Sequence, residues 1–279
     1  MPRVDRYAVV GNPIGHSRSP EIHQLFAQAT QQTITYERLE GPLDGFEEFA
    51  LGLRDAGYLG LNVTIPFKLD ASKLADSLTP RARLAGAVNT LKFDEDTIYG
   101  ENTDGIGFVR DITGRLGFKV PNAAILVLGA GGGVRGLIAS LLEERPKWIA
   151  VANRTHNRAQ ELADEFGVEA IRLDEIPAEH FDLIVNGTSS SLNQDAPAID
   201  PETFDDCTLA YDLVYAPEPT PFMRLAQGGG AHAVADGLGM LIEQAAESFL
   251  FWRGVRPDTA PVYRELRRIL EQARASTAK

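Results

Sequence analysis

The chain has 279 residues, 44% of them apolar, and a formal net charge of −12, enough material to bury one large or two modest cores. The acidic balance, with no basic tract and no aromatic–basic ladder, argues against a nucleic-acid partner. The single cysteine, Cys207, forbids an intramolecular disulfide and fits a reducing, cytoplasmic compartment. Residues 1–6 carry no signal-peptide h-region, no apolar run approaches a membrane span, and the five histidines have no metal-ligand spacing, so neither membrane nor metal is expected.

Taken in order, residues 7–11 read as a short strand. Ser19 is placed as the N-cap of a helix with Pro20 at its first position and Ile22, Leu25, Phe26 and Ala29 as its apolar stripe. Residues 33–39 form a strand, 46–56 a helix, and 59–64 a strand that stops before Pro66. Thr79-Pro80 opens a short helix, and residues 87–93 and 97–101 form a hairpin through Asp94-Glu95-Asp96. Residues 106–116 read as a connecting helix.

The stretch 123–158 is the most informative. An apolar run, 123–128, meets Gly129-Ala130-Gly131-Gly132-Gly133 with no spacer. Val134, Leu137, Ile138, Leu141 and Leu142 then follow at helical spacing, and residues 148–152 form a second strand. This is a βαβ unit with glycines where a dinucleotide pyrophosphate sits: they let backbone approach phosphate, and the helix N-terminus offers free N–H groups. The glycine register is open, since a G-x-G-x-x-G reading can start at Gly129 or Gly131. An NAD site usually places an acid at the end of the second strand. Here stand Asn153, Arg154, Thr155 and Arg158, and cations there suit a 2′-phosphate, so NADP is the expected cofactor. Arg154 and Arg158, four apart, are expected to share a helix face; the alternative is a solvated charged surface.

Strands at 170–173, 183–186 and 209–215 and a helix near 159–166 continue a doubly wound sheet. Segment 190–206 reads as a loop. Two helices, a long one that Asp236-Gly237-Leu238-Gly239-Met240 leads into and that runs through Trp252, and another from about 261 to 275, have no place in a finished Rossmann sheet and are expected to complete the N-terminal domain. The fold class is therefore α/β with two domains: residues 1–104 and 240–279 as substrate domain, 105–239 as Rossmann domain, and the active site in the cleft between them.

Polar residues gather at expected strand ends. Ser17 and Ser19 lie in the loop after the first strand, at a helix start, as an anion site. Thr64 and Lys68 follow the third strand. Asn89 has a turn-former as its simpler explanation, Asp104 a helix cap, and Lys68 a surface charge. Spacing alone does not choose.

These residues carry a resemblance. The stretches Gly11-Asn12-Pro13-Ile14-Gly15-His16-Ser17-Arg18-Ser19-Pro20, Asn62-Val63-Thr64-Ile65-Pro66-Phe67-Lys68, Gly86-Ala87-Val88-Asn89-Thr90, Gly100-Glu101-Asn102-Thr103-Asp104-Gly105, the glycine loop, Asn153-Arg154-Thr155, Tyr211-Asp212-Leu213-Val214-Tyr215 and Asp236-Gly237 through Gln244 resemble the shikimate dehydrogenase family over essentially the whole chain. The resemblance implies NADP-linked, reversible reduction of 3-dehydroshikimate to shikimate in aromatic amino-acid (chorismate) biosynthesis. It implies Lys68 as catalytic acid/base with Asp104 as partner. Ser17, Ser19 and Tyr215 would hold the substrate carboxylate, and Thr64, Asn89, Asp104 and Gln244 would read the ring hydroxyls. Gly129 to Gly133, Asn153, Arg154, Thr155, Arg158, Leu213 and Gly237 would hold the cofactor. A lysine accepts a proton only when neutral, against a free pKa of about 10.4. A neighbouring carboxylate works against that, so Asp104 reads as a positioning partner. Two departures stand out: Leu213 replaces a common methionine, and Ser191 replaces the glycine that usually follows the two serines before it. Quinate/shikimate paralogues and an NADP-sensing protein without turnover remain alternatives. The retained Lys68 and Asp104 argue against the second, and the oligomeric state, monomer or homodimer, stays open.

Overall fold

The computed structural model describes residues 4–177 and 180–277. The chain divides into two compact units, Met1–Gly107 with Ile242–Val262, and Phe108–Leu241 with Tyr263–Lys279.

The first unit runs β1 (Asp5–Gly11), α1 (Ser19–Ala29), β2 (Ile34–Glu40), α2 (Phe46–Asp55), β3 (Tyr58–Val63), α3 (Lys68–Leu74), β4 (Ser77–Leu78), α4 (Pro80–Ala85), β5 (Thr90–Asp94) and β6 (Thr97–Glu101). α5 (Asp104–Arg110) begins there and passes into a π-turn at Asp111–Arg115. The second unit holds β7 (Ala124–Leu128), α6 (Gly132–Glu143), β8 (Trp148–Asn153), α7 (His156–Phe166), β9 (Glu169–Arg172), β10 (Leu183–Asn186), β11 (Leu209–Asp212), α8 (Pro221–Gly228) and β12 (Val234–Asp236). α9 (Leu238–Arg253) starts in the second unit and continues in the first, and α10 (Ala260–Thr277) does the reverse.

The first sheet has the order β2-β1-β3-β5-β6-β4, parallel across β2-β1-β3 and antiparallel across β3-β5-β6. Strand alternation sorts its faces. Ala8, Val10, Leu61 and Val63 enter one core with Phe46 and Phe67. Tyr7 points the other way and stacks on Trp252 of α9, ring centroids 4.6 Å apart. Trp252 also donates its indole N–H to the Leu91 carbonyl at 2.9 Å.

The second sheet is wholly parallel, in the order β12-β11-β10-β7-β8-β9, the doubly wound dinucleotide-binding arrangement. Both of its faces are buried, as parallel sheets require. Ile125 and Val127 of β7 face one core, whereas Leu126 and Leu128 face the other.

Several expectations change. α1 starts at Ser19 itself, with Arg18 at the cap position and no cap bond from its side chain; the Ser17 hydroxyl accepts the Ser19 N–H at 3.3 Å and donates to the Ser19 hydroxyl. α7 starts at His156, so Arg154 lies in the turn before it and shares no helix face with Arg158. β11 ends at Asp212, not 215, where that side chain turns back to accept the Val214 N–H. From Tyr263 onward α10 groups with the second unit, held there by Arg267 on Asp236 at 2.5 Å and Arg115 over the Tyr263 ring. Segment 190–206 contains short 3₁₀ turns at Ser190–Asn193 and Pro201–Phe204.

Candidate active site

In the first unit β1 and β3 are adjacent and parallel, so their carboxyl ends, and the loops that leave them, lie side by side. The loops are tied together. Asn12 donates its backbone N–H to the Ile65 carbonyl at 3.1 Å, and its side-chain amide to the Gly41 carbonyl at 2.9 Å. A Cβ at Gly11 would stand 2.5 Å from Thr64 Cγ2, so glycine is what permits this approach. Ser17 and Ser19 leave the first loop with their hydroxyls 3.1 Å apart. In the second loop, the Thr64 carbonyl accepts the Phe67 N–H, turning the chain so that α3 opens with Lys68.

Lys68 Nζ lies 2.5 Å from Asp104 Oδ2, with 23% and 12% of the two side chains exposed. Asp104 is the first residue of α5, yet it is not the cap. Asn102 Oδ1 accepts the Asp104 N–H at 3.1 Å, which leaves the Asp104 carboxylate free for Lys68. Its other oxygen accepts from Asn89 Nδ2 at 2.8 Å. Asn89 is buried and makes more bonds than a turn-former would. The same amide nitrogen reaches Thr103 Oγ1 at 2.9 Å and Gln244 Oε1 of α9 at 3.4 Å, while Oδ1 accepts from Thr103 N and Thr90 Oγ1 at 2.9 Å each.

Behind this layer is one that sequence reasoning missed. Asn62 Nδ2 donates to Thr90 Oγ1 and Ser248 Oγ, both at 3.0 Å, and Asn62 Oδ1 accepts from Tyr36 Oη at 2.7 Å. Tyr36 stacks on His23, centroids 4.2 Å apart. Burial raises the Tyr36 phenol pKa well above its ordinary value and lowers that of His23 to about 3. The available signal was an asparagine inside an apolar strand, since a buried polar group demands partners. Lys68, Asp104, Asn89 and Gln244 thus form one hydrogen-bonded group. Ser17, Ser19 and Thr64 stand on the neighbouring loops.

In the second unit the glycine register resolves at Gly129, which leaves β7 with φ +104°. A Cβ there would meet the Gly187 carbonyl at 2.9 Å, so this is the tight turn. Gly131 is the N-cap of α6, with no side-chain cap bond, and Gly131, Gly132 and Gly133 face open space. The Gly132 and Gly133 N–H groups of the first turn are therefore available to an anion, while the Val134 N–H donates to the Gly131 carbonyl at 3.0 Å; this fits a pyrophosphate. Ala130 packs partly buried against the core behind them. Asn153 ends β8 and donates to the Thr155 carbonyl at 2.9 Å, and Thr155 is the N-cap position of α7. Arg154 and Arg158 are exposed, with no ion-pair partner among the described residues. Asn153, Arg154 and His156 line one cavity of about 350 Å³.

Leu213 follows β11, and Gly237 follows β12 against it: a Cβ on Gly237 would fall 2.1 Å from the Leu213 carbonyl oxygen. Ser191, the departure noted above, is used. Its hydroxyl donates to buried Asp212 at 2.6 Å, and Asn186 Nδ2 donates to the same carboxylate at 3.1 Å. Burial nevertheless raises the Asp212 pKa above its ordinary value, against the pull of these donors. Tyr215 lies in the segment beyond β11, in the second unit, apart in sequence and unit from Ser17 and Ser19.

Family models match three segments: the shikimate dehydrogenase substrate binding domain over residues 9–91, shikimate/quinate 5-dehydrogenase over 112–200, and the shikimate 5′-dehydrogenase C-terminal domain over 237–267. A shikimate dehydrogenase (NADP(+)) of Janthinobacterium sp. (strain Marseille) is 51% identical over 272 residues, covering 95% of this chain and 98% of its own. The crystal structure of an Ael1 enzyme from Pseudomonas putida superposes with a TM-score of 0.91 at 47% identity, over 94% of this chain and 98% of that one. Shikimate 5-dehydrogenase from Thermus thermophilus, in complex with NADP(H) and shikimate, gives 0.87 at 36% identity, over 95% and 99%.

Proposed function

The chain belongs to the shikimate dehydrogenase family, and from that premise we propose how its own residues carry out NADP-dependent, reversible reduction of 3-dehydroshikimate to shikimate. The carrying observation is the Lys68–Asp104 pair at 2.5 Å, held by Asn89 at the carboxyl ends of the strands. Bound cofactor would supply the redox chemistry, NADPH giving a hydride for reduction and NADP+ accepting one in the reverse direction. The glycine turn and first turn of α6 hold its pyrophosphate, Asn153, Arg154, Thr155 and Arg158 its 2′-phosphate end, and Leu213 and Gly237 its other end.

Lys68, paired with a carboxylate, is placed to give a proton from Nζ to the carbonyl oxygen as the carbinol forms, and to take it back in the oxidising direction. Asp104 positions that ammonium. Its second oxygen is oriented by Asn89, so the carboxylate cannot swing away without breaking a buried hydrogen bond. Asn89, Thr64, Asp104 and Gln244 supply donors and acceptors for ring hydroxyls. The Ser17 and Ser19 hydroxyls bind the carboxylate. Chorismate biosynthesis and a cytoplasmic location belong to the same proposal, the latter supported by the single cysteine, which is buried.

The test is a matrix of initial rates for shikimate and quinate, each with NADP and NAD. Shikimate with NADP is expected to dominate. Comparable quinate turnover would move the assignment to a paralogue, and absence of turnover with all four pairs would end the catalytic reading.

A further inference from the structure

The cavity beside Arg154 has a second guanidinium that nothing in the sequence motifs marks. β8 and β9 are parallel, and Asn153 pairs in register with Arg172, so both strands end at the same level. The turns beyond these ends close around the cavity of about 350 Å³, lined by Asn153, Arg154, Arg172, Leu173 and Asp174. Two arginines from adjacent strand ends therefore line one space, together with Leu173 and the Asn153 amide.

We propose that Arg172 is a specificity-determining residue for the cofactor, binding the ribose 2′-phosphate together with Arg154. The inference rests on the NADP reading above and deepens it. In the structure Arg172 contacts Asp174 at 3.1 Å and Glu175 at 3.4 Å. All three side chains are at least half exposed, and pairs of that kind contribute little. A phosphate brings nearly two negative charges and a planar face of oxygens that matches the guanidinium fork. Arg172 therefore exchanges its carboxylate contacts for the phosphate when NADP binds. Asp174 holds the guanidinium near the mouth beforehand, and it also competes with the phosphate for it. The second strand's terminal cation is the expected selector of NADP; here the third strand adds another, because strand register brings it alongside.

The test is calorimetric binding of 2′,5′-ADP and 5′-ADP to the full chain and to Arg172→Gln, Asp174→Asn and Arg154→Ala. Arg172→Gln is expected to weaken 2′,5′-ADP about five- to tenfold, below the full scale of a charge-assisted contact because Arg172 gives up its contacts to Asp174 and Glu175 on binding, and leave 5′-ADP unchanged. Asp174→Asn, which removes the competing carboxylate, is expected to tighten 2′,5′-ADP, a gain that a merely structural role for Arg172 would not produce. If Arg154→Ala weakens 2′,5′-ADP while Arg172→Gln does not, the role of Arg172 is overturned and the NADP clamp stands. If neither variant discriminates between the two nucleotides, the clamp reading falls as well. Equal loss of both nucleotides in Arg172→Gln also overturns the proposal.

Discussion

Asp104 joins Asn89 to Lys68: the Asn89 amide nitrogen donates to Asp104 Oδ1 at 2.8 Å, while Asp104 Oδ2 meets Lys68 Nζ at 2.5 Å. A residue at the start of β5 thereby sets the direction of a carboxylate at the start of α5, which in turn sets the position of an amine at the start of α3. These are three helix or strand starts far apart in the chain.

Lys68→Ala removes the proposed proton donor and leaves the proposed hydroxyl-binding groups. Turnover is expected to fall by about 10²- to 10⁴-fold, the contribution of positioned acid–base catalysis, with little change in shikimate affinity. Steady-state rates and equilibrium binding measured on one preparation separate the two. Near-normal turnover would remove Lys68 from the chemistry.

Asn89→Ala leaves the Thr103 N–H and one Asp104 oxygen without their buried partner. The expected cost is about 1–3 kcal/mol of stability, read by chemical denaturation, together with a raised KM for shikimate. Unchanged stability would mean that the buried bonds around Asn89 contribute nothing net.

Arg154→Ala is expected to cost NADP about 1.5–3 kcal/mol, roughly 10- to 150-fold, and NAD almost nothing. The comparison needs only KM values for the two cofactors at fixed shikimate. Equal losses would refute a phosphate contact.

His23 sits fully buried beside Tyr36, Phe26, Phe249 and Trp252, and its ring nitrogens have no hydrogen-bond partner among the described residues. Burial lowers its pKa to about 3, below the unfolded value near 6.5. Between those values the unfolded chain binds the extra proton, so stability falls as pH drops from about 6.5 toward 3, by at most about 1.4 kcal/mol per pH unit. His23→Phe keeps a ring of similar size and removes this dependence. Melting temperatures of both proteins at pH 7 and pH 4.5 check it. An identical acid-induced loss in both would exclude His23 as a contributor.

Much of the candidate site was legible because its polar residues are concentrated in short motifs at strand ends. The βαβ unit announced itself by period and glycines, and the structure placed Gly129 as the turn because a positive φ and contact with Gly187 leave no room for a side chain. Asn62, Thr90, Thr103 and Ser248 were illegible. Each is an ordinary polar residue locally, and their partnership exists only where β3, β5, the start of α5 and α9 converge. Arg172 was invisible for a similar reason, since its closeness to Arg154 comes from strand register across β8 and β9.

By itself, then, the sequence determined the alternation of strands and helices, the dinucleotide turn, the cationic end of β8 and the motif residues that point to substrate and cofactor. These depend on local spacing, backbone freedom and residue type, all carried by consecutive residues. Only tertiary structure decided that Asp104 faces Lys68 instead of capping its own helix, that Arg154 stands before α7, and that α10 turns to the second unit beyond Tyr263. Each of those outcomes is a choice between competing partners, and the winner is settled by which groups the sheets bring within hydrogen-bonding distance.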